Sequence, residues 1–164
     1  MAIVEVNKKD DKGKKKKRQY MQGRFIPRNP KKYIGDKSKI VYRSSWELKV
    51  MNHLDLMDKV IYWASEELVV PYRSPKDYAI HRYFPDFIVV FEGKYGRETI
   101  IIEVKPYSQQ FPPKKTSGKR KDVYANEVMT YMINQAKWEA ARAYCDSKGY
   151  KFAVMTEKEI LGKL

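Results

Sequence analysis

The sequence predicts an α/β domain in which a mixed β-sheet is flanked by helices. Two apolar runs, residues 83–91 and 100–105, have the continuous β-forming composition of buried strands. An amphipathic helical pattern precedes them at residues 45–57, and a longer one follows at residues 123–148. A further apolar strand pattern at residues 150–155 completes the order of elements.

The length and the charge of the chain restrict its class. With 164 residues, the chain is long enough for one domain with a real core, which we place at residues 20–164. It carries 34 Lys and Arg residues against 20 Asp and Glu residues, a formal net charge of +14. Such an excess indicates a polyanionic partner. Nucleic acid is the first choice, and a membrane surface or an acidic protein is the alternative.

Cysteine, histidine and apolar patterning exclude several other classes. A lone cysteine, Cys145, rules out an internal disulfide framework and suits a reducing compartment. One cysteine and two histidines leave too few of the usual ligands for a zinc site. No apolar run approaches the roughly 18 residues of a membrane span, and the N-terminus lacks the apolar core of a signal peptide. We therefore expect no membrane partner.

The first 19 residues read as a separate basic tail. Eight of the eleven residues from Lys8 to Arg18 are Lys or Arg, and such a block repels itself and lacks apolar groups to bury. We predict a flexible segment that serves either as a DNA-gripping arm or as a solubilising or localisation tail. Residues 20–41 contain two prolines and two glycines, so they are predicted to form an irregular lead-in.

The first predicted helix begins with a capping box. Ser44 is placed as the N-cap and Glu47 at the third helical position, ahead of an apolar stripe that ends near residue 57. Residues 60–63 follow as a short strand or a link, and residues 67–72 as the first clear strand. Glu47 thus has a complete structural explanation as a capping residue.

The two central strands carry three charged residues that together suit a metal site. If residues 83–91 and 100–105 form a hairpin, Asp86 in the first strand lies beside Glu103 in the second. Glu103 and Lys105 are two residues apart, so they project from the same face. Two carboxylates and an ammonium group are costly to bury unless they are compensated, and a divalent cation such as Mg²⁺ is the usual compensation. The alternative is an ordinary strand pair with an acid at its mouth and a lysine on its edge.

A long loop and a long helix follow the second strand. The loop at residues 106–122 leaves the strand on the substrate side and carries a basic patch suited to phosphate contacts. The patch consists of Lys114, Lys115, Lys119, Arg120 and Lys121. The helix at residues 123–148 ends at Gly149. Gln135, near its apolar stripe, is either a ligand for a water or phosphate oxygen or an ordinary boundary residue. Lys137 is predicted to face elsewhere.

Several other polar residues have an ordinary structural explanation. Thr156 caps a short final helix at residues 157–164, and Glu159 completes the capping pattern. Glu66 fits a solvated turn better than a contribution to the site. His81 fits an exposed strand edge, although its side chain could also contact a phosphate or carry a proton.

The order and spacing of these residues resemble the PD-(D/E)xK nucleases. The pattern is matched by Glu47, Pro85-Asp86, Glu103-x-Lys105 and Gln135. Four longer segments are similar to the head-completion nucleases of T-even-type tailed phages, within a resemblance that covers roughly residues 22 to 155. These segments are residues 23–30, 41–49, 81–87 and 134–142. The chain is more distantly similar to the TnsA-type transposase endonucleases.

The resemblance implies a restriction-endonuclease-like α/β core that hydrolyses DNA phosphodiester bonds with the help of a metal ion. It also implies a role late in phage head assembly, near the packaged DNA end, with head, portal or neck proteins as partners. The protein would then act in the host cytoplasm during assembly, and its retention in the virion stays open.

The family pattern gives each site residue an expected role. Asp86 and Glu103 bind Mg²⁺, for which Mn²⁺ can substitute, and the Val104 carbonyl is a further ligand. Lys105 positions and helps to activate the attacking water. Gln135 orients that water or the scissile phosphate.

Further roles are expected outside the hairpin. Glu47 holds a second metal ion or one of its waters, and in that role it is less free to cap the helix. The expected contacts to DNA phosphates are Arg43, His81, Lys114, Lys115, Lys119 and Arg120.

Two other functions are compatible with the sequence. A structural head-completion or neck protein could keep the nuclease fold as a DNA-end plug that binds without significant cleavage. Such a descendant would have no need to retain all of Asp86, Glu103 and Lys105. A transposase subunit is the other alternative, and it would require a partner transposase encoded nearby.

Overall fold

The computed structural model describes residues 21–163, so the predicted tail at residues 1–19 lies outside the described part. The strands in that part are β1 Gly23–Arg24, β2 Val41–Tyr42, β3 Val60–Ser65, β4 Val70–Arg73, β5 Ile80–Tyr83, β6 Phe87–Gly93, β7 Gly96–Val104 and β8 Lys151–Met155. The α-helices are α1 Ser45–Leu56, α2 Lys121–Lys148 and α3 Glu157–Lys163. Short 3-10 helices lie at Lys37–Lys39 and Tyr107–Gln110.

A four-stranded mixed sheet forms the centre, in the order β3-β6-β7-β8. The β3–β6 and β6–β7 pairs are antiparallel, whereas β8 runs parallel to β7. Helix α2 supplies the long connection that a parallel pair requires. The predicted mixed sheet with flanking helices is therefore confirmed, as is the hairpin of the two central strands.

The predicted strand at residues 83–91 is wrong in one respect, because it is two strands. Strand β5 ends at Tyr83 and pairs with β4 in a separate hairpin, while β6 begins at Phe87. The break falls at Pro85, which has no backbone N–H to donate to a ladder and restricts the residue before it. The strand predicted at residues 67–72 likewise begins only at Val70.

The two faces of the central sheet pack against different elements. One face, with Phe87, Ile102 and Val104, forms a core with α1, α3 and Trp63. The other face lies under α2 and the β4–β5 hairpin, whose buried residues form a second apolar cluster. Because side chains alternate along a strand, Glu103 lies between two residues of the α1 face and itself points toward α2.

The helix boundaries follow from local capping. The backbone N–H of Glu47 donates to the Ser44 hydroxyl at 3.1 Å, so the predicted N-cap of α1 is confirmed. Helix α2 begins at Lys121, two residues earlier than predicted, and stops at Gly149, which adopts the left-handed conformation with φ of 69°. The backbone N–H of Thr156 donates to the Glu159 carboxylate at 2.8 Å, as a capping pair at α3 requires.

The lead-in lies as a strap across the α1 side of the sheet. The buried Asp55 side chain accepts hydrogen bonds from the backbone N–H groups of Arg28, at 2.7 Å, and Asn29, at 3.2 Å. The Tyr33 ring packs edge-on against Trp63, 4.8 Å between centroids. Within residues 21–163, no helix is both long and apolar enough to cross a membrane.

Candidate active site

The β6–β7 register brings Asp86 to Glu103. Phe87 is paired with Ile102, so Asp86, one residue before β6, reaches the level of Glu103. The backbone N–H of Val104 donates a hydrogen bond of 2.6 Å to Oδ2 of Asp86. A backbone donor thereby fixes the Asp86 carboxylate at the end of the hairpin, where the sequence predicts it.

Glu103 is held by two side chains on the α2 face of the sheet. Its side chain is buried, and its Oε2 accepts a hydrogen bond of 2.6 Å from the Tyr83 hydroxyl. Its Oε1 lies 3.0 Å from Nζ of Lys105, so the prediction that these two residues share a face is confirmed. Lys105 keeps partial access to solvent while Glu103 has almost none. The solvent-facing side of this cluster is therefore the ammonium group.

Burial and mutual repulsion disfavour the charged state of the carboxylate pair. Burial, and secondly the Glu103 carboxylate, raise the pKa of Asp86 to about 8. Burial by itself would lower the pKa of Lys105, but the carboxylates of Glu103 and Asp86 outweigh it and raise that pKa. Lys105 therefore carries its proton at neutral pH, and it is suited to donating hydrogen bonds rather than to accepting a proton from water.

The chemistry of these donors fits a magnesium ion. Mg²⁺ is commonly bound through one or two carboxylates, with waters and substrate phosphates completing its shell. Asp86 and Glu103 supply two such groups, and the raised pKa of Asp86 shows that Lys105 alone does not compensate them. In the described part of the chain, no three His, Cys, Asp or Glu side chains are grouped closely enough for a metal ion. The arrangement is that of a carboxylate pair.

Glu47 adopts the capping role within electrostatic reach of this pair. Its Oε1 accepts from the Ser44 hydroxyl at 3.0 Å, and its Oε2 accepts from the backbone N–H of Arg43 at 2.8 Å. Its charge still contributes to raising the pKa values of Asp86 and Lys105. The structure does not join Glu47 to Asp86 in one ligand cluster, and its metal role stays a prediction.

Glu66, for which the sequence favours a solvated turn, has a strained backbone and supports Asp86. Glu66 has a φ of 54°, which a residue other than glycine seldom adopts. Its backbone N–H donates to the Asp86 carbonyl at 3.2 Å, and its carboxylate pairs with the Arg43 guanidinium. The turn predicted at Glu66 is present and half-exposed, and its backbone ties the end of β3 to the site.

Gln135 lies beside the acids and not among them. It lines an open cavity of about 280 Å³ together with Gln110, Trp138, Arg142, Phe152 and Val154. Val154 is the β8 partner of Glu103, so this cavity borders the site on the α2 face. Among the described hydrogen bonds, none joins Gln135 to Asp86 or Glu103, and its role stays a prediction.

Lys137 is the residue that the sequence prediction misplaced. It does not face elsewhere: its Nζ lies 5.6 Å from the ring centroids of both Tyr72 and Tyr83. Burial lowers its pKa, while the charges of Glu103, Lys105 and Asp86 also act on it. A signal was available, because Lys137 lies four residues before Ala141 on one helical stripe, and Ala141 is fully buried under the β4–β5 hairpin.

The expected DNA contacts are exposed except for the half-buried Lys119, and several already have acidic partners. Lys119 pairs with Glu127 at 2.7 Å, and Arg120 pairs with Asp122 at 2.8 Å. His81 lies 2.8 Å from Asp77, in the exposed strand-edge position that the sequence favours. Lys114 and Lys115 are exposed in the loop that follows Lys105.

Comparison with known proteins agrees with this arrangement. The family described as "TnsA-like endonuclease N terminal" matches residues 57–157, a range that includes Asp86, Glu103, Lys105 and Lys137. The "Head completion nuclease" of Enterobacteria phage T4 is 36% identical over 140 residues, which cover 82% of this chain and 90% of that protein. The mixed sheet with its flanking helices is accordingly the restriction-endonuclease-like core. This chain therefore belongs to the TnsA-like endonuclease family, among the phage head completion nucleases.

Proposed function

We propose that this nuclease is a Mg²⁺-dependent DNA endonuclease that hydrolyses phosphodiester bonds near the packaged DNA end during head completion. The observation that carries the proposal is the buried Asp86–Glu103 carboxylate pair, with Lys105 3.0 Å from Glu103 on its exposed side. Head, portal or neck proteins are the proposed partners, and the host cytoplasm is the proposed place of action.

Each residue of the site has its own role in hydrolysis. Asp86 and Glu103 would hold Mg²⁺, with the Val104 carbonyl as the predicted third ligand. The ion would supply Lewis-acid stabilisation of the charge that builds on the phosphate oxygens. The Val104 N–H and the Tyr83 hydroxyl keep the two carboxylates in fixed orientations before substrate arrives. Such preorganisation spares the reorganisation that flexible ligands would require.

Lys105 acts on the substrate side of the carboxylate pair. Its ammonium group is held by Glu103 and keeps its proton at neutral pH because the carboxylates raise its pKa. It donates hydrogen bonds to the attacking water or to a non-bridging phosphate oxygen, and it thereby orients the nucleophile and stabilises the added charge.

Charge on the rest of the chain supports a DNA substrate. The formal net charge is +14, and exposed Lys114 and Lys115 lie in the loop that leaves the strand end at Lys105. Each lysine that neutralises a DNA phosphate releases counterions, so binding should weaken steeply as salt rises. A basic loop at this position would guide the duplex toward the carboxylate pair.

A cleavage assay tests the proposal. Linear, supercoiled and branched DNA would be incubated with Mg²⁺, Mn²⁺ or EDTA, and the wild type compared with Glu103→Gln. We expect metal-dependent cutting that Glu103→Gln reduces about 100- to 1,000-fold, the range for one electrostatic group in an active site. The matched control is Glu139→Gln, an exposed acid on α2 whose loss should not slow cutting.

The same assay separates the proposal from the alternative of a DNA plug. Metal-independent cutting, or cutting by Glu103→Gln at the wild-type rate, would contradict the proposed mechanism. Failure of the wild type to cut any DNA, together with tight and salt-sensitive binding, would favour a head-completion protein that holds the DNA end without cleaving it.

A further inference from the structure

We propose that Lys137 binds a phosphate oxygen of the DNA strand being cut, at the scissile phosphate or the one next to it. This inference rests on the proposed function, and it adds to the site a cation from α2 that the PD-(D/E)xK pattern of Asp86, Glu103 and Lys105 does not contain.

The position of the ammonium group is set by two tyrosine rings. Nζ lies 5.6 Å from the centroid of Tyr72 and 5.6 Å from that of Tyr83, so the β4–β5 hairpin forms a cradle for it. Tyr83 in turn donates its hydroxyl to Glu103 at 2.6 Å. One tyrosine therefore touches the carboxylate with its hydroxyl and the Lys137 cation with its ring face, which places the cation beside the carboxylate pair.

No acidic side chain in the described part of the chain forms an ion pair with Lys137. Among the described residues it makes no ion pair within 4.0 Å, whereas Lys105 and Lys119 are each paired with a glutamate. The side chain is half-buried, so its charge is partly desolvated without a compensating anion at contact distance. The cation–π contacts with the two tyrosine rings offset only part of the free energy lost by desolvation. A cation held in this way is ready for an anion that arrives with the substrate.

The charges around Lys137 are consistent with a phosphate ligand. Glu103 and Asp86 attract it from a distance, and Lys105 repels it. Lys105 is already engaged by Glu103, so the two lysines are not equivalent: one is neutralised within the site and the other is not. A phosphodiester that approached the carboxylate pair along α2 would meet in Lys137 a cation that has no ion pair among the described residues.

A structural explanation competes with this one. Lys137 could serve only to anchor the β4–β5 hairpin on α2, through its contacts with Tyr72 and Tyr83. Lys137→Met separates the two, because methionine keeps the unbranched apolar stem and removes the charge. Lys137→Arg keeps the charge. Lys148→Met, at the far end of the same helix and exposed, is the matched control for the loss of one positive charge.

The experiment combines binding, cleavage and stability on the full-length protein. Binding to a short linear duplex would be measured from low to high salt with Ca²⁺ in place of Mg²⁺, after a gel shows that the DNA stays intact. We expect Lys137→Met to make the slope of log K against log salt shallower by about 0.9, the value for one phosphate contact on duplex DNA. Lys148→Met should leave the slope unchanged.

Cleavage with Mg²⁺ should show the same difference. Lys137→Met is expected to lower kcat/KM by about 10- to 100-fold, and Lys137→Arg to restore most of it, because a charged hydrogen bond to phosphate is lost in one and kept in the other. The thermal midpoints of all three variants should lie within a few degrees of the wild type.

Three results would overturn the inference. They are an unchanged salt slope in Lys137→Met, an equal change in Lys148→Met, or a cleavage loss that accompanies a large fall in thermal midpoint and is not restored by Lys137→Arg. A wild type that binds DNA but never cuts it would instead overturn the proposed function, and the salt slopes would still decide whether Lys137 contacts phosphate.

Discussion

The Tyr83 hydroxyl donates a hydrogen bond of 2.6 Å to the buried Glu103 carboxylate. Tyr83 belongs to the β4–β5 hairpin and Glu103 to the central sheet, so this contact joins the two sheets at the site. The tyrosine adds no charge and keeps one carboxylate oxygen oriented. Burial, and secondly Glu103, raise the pKa of Tyr83, so its hydroxyl remains a donor at any pH at which the enzyme works.

Removing that hydroxyl should weaken both the fold and the site. Tyr83→Phe leaves Glu103 without its second partner, and we expect a loss of about 1–3 kcal/mol in the free energy of unfolding and a higher Mg²⁺ requirement for cutting. Urea titration and a metal titration of activity measure the two effects. Tyr72→Phe is the control, because Tyr72 packs in the same cluster and its hydroxyl makes no described hydrogen bond. Equal behaviour of the two variants would contradict the prediction.

The metal-free protein should lose stability as pH rises toward 8. The pKa of Asp86 is about 8 in the folded state and about 4 in an unfolded chain, so between these values the folded protein binds the extra proton. Stability from this group is full below about pH 4 and is lost as pH rises through 8. Thermal melts in EDTA from pH 5 to pH 9 should show a falling midpoint, and Mg²⁺ should reduce the fall.

Asp86→Asn is the matched variant for the pH experiment. Its amide oxygen can still accept the Val104 N–H, but it does not titrate, so the dependence on pH in EDTA should become flatter. A wild-type midpoint that rises between pH 5 and pH 8 while that of Asp86→Asn stays level would show that the pKa of Asp86 is shifted in the other direction.

The part of the site that lies on the β6–β7 hairpin could be predicted from the sequence. The glycine turn and the apolar runs fix the β6–β7 pairing, and the two-residue period of a strand puts Glu103 and Lys105 on one face. Asp86 follows from the same register. These relationships are local along two consecutive strands, so no knowledge of the remaining packing is needed to predict them.

The rest of the site depends on contacts between distant elements. Tyr83 and Lys137 meet only because the β4–β5 hairpin folds onto α2. The helical period puts Lys137 on the stripe of Ala141, but it does not say which element packs on that stripe. The break at Pro85, which creates the hairpin, was signalled by the proline itself but was read as part of one strand. The left-handed Glu66 could not be predicted, because its side chain type disfavours the conformation that the surrounding structure imposes.

The protein should be more stable with glycine at position 66 than with alanine there. Both variants lose the ion pair with Arg43, so their difference isolates the φ of 54°, which glycine adopts freely and alanine does not. We expect the free energy of unfolding, measured in urea titrations, to be about 1 kcal/mol higher for Glu66→Gly than for Glu66→Ala. At position 67, where φ is not positive, Glu67→Ala should be more stable than Glu67→Gly. The same order at both positions would exclude backbone strain at Glu66.

The basic loop should contribute to DNA affinity without affecting the chemistry. Lys114→Ala/Lys115→Ala is expected to reduce the salt slope of binding by about 2, since each phosphate contact contributes about 0.9. The cleavage rate at saturating enzyme should change little. Lys59→Ala/Lys94→Ala removes two exposed lysines at the opposite end of the β6–β7 hairpin and serves as the control. If that pair lowers the slope equally, the attraction comes from overall charge and not from the loop.

Glu47 allows a test of a residue that has two roles. Glu47→Gln keeps one acceptor, the amide oxygen, for the Arg43 N–H, and its NH2 group can instead donate to the Ser44 hydroxyl. It also removes the negative charge near Asp86. If the charge serves catalysis, cutting should fall at least about 10-fold while the unfolding midpoint in urea moves little. Ser44→Ala should do the reverse, with a loss of about 1 kcal/mol of stability and near-normal cutting per folded molecule. Parallel losses of stability and cutting in both variants would mean that Glu47 acts only as the cap that positions α1.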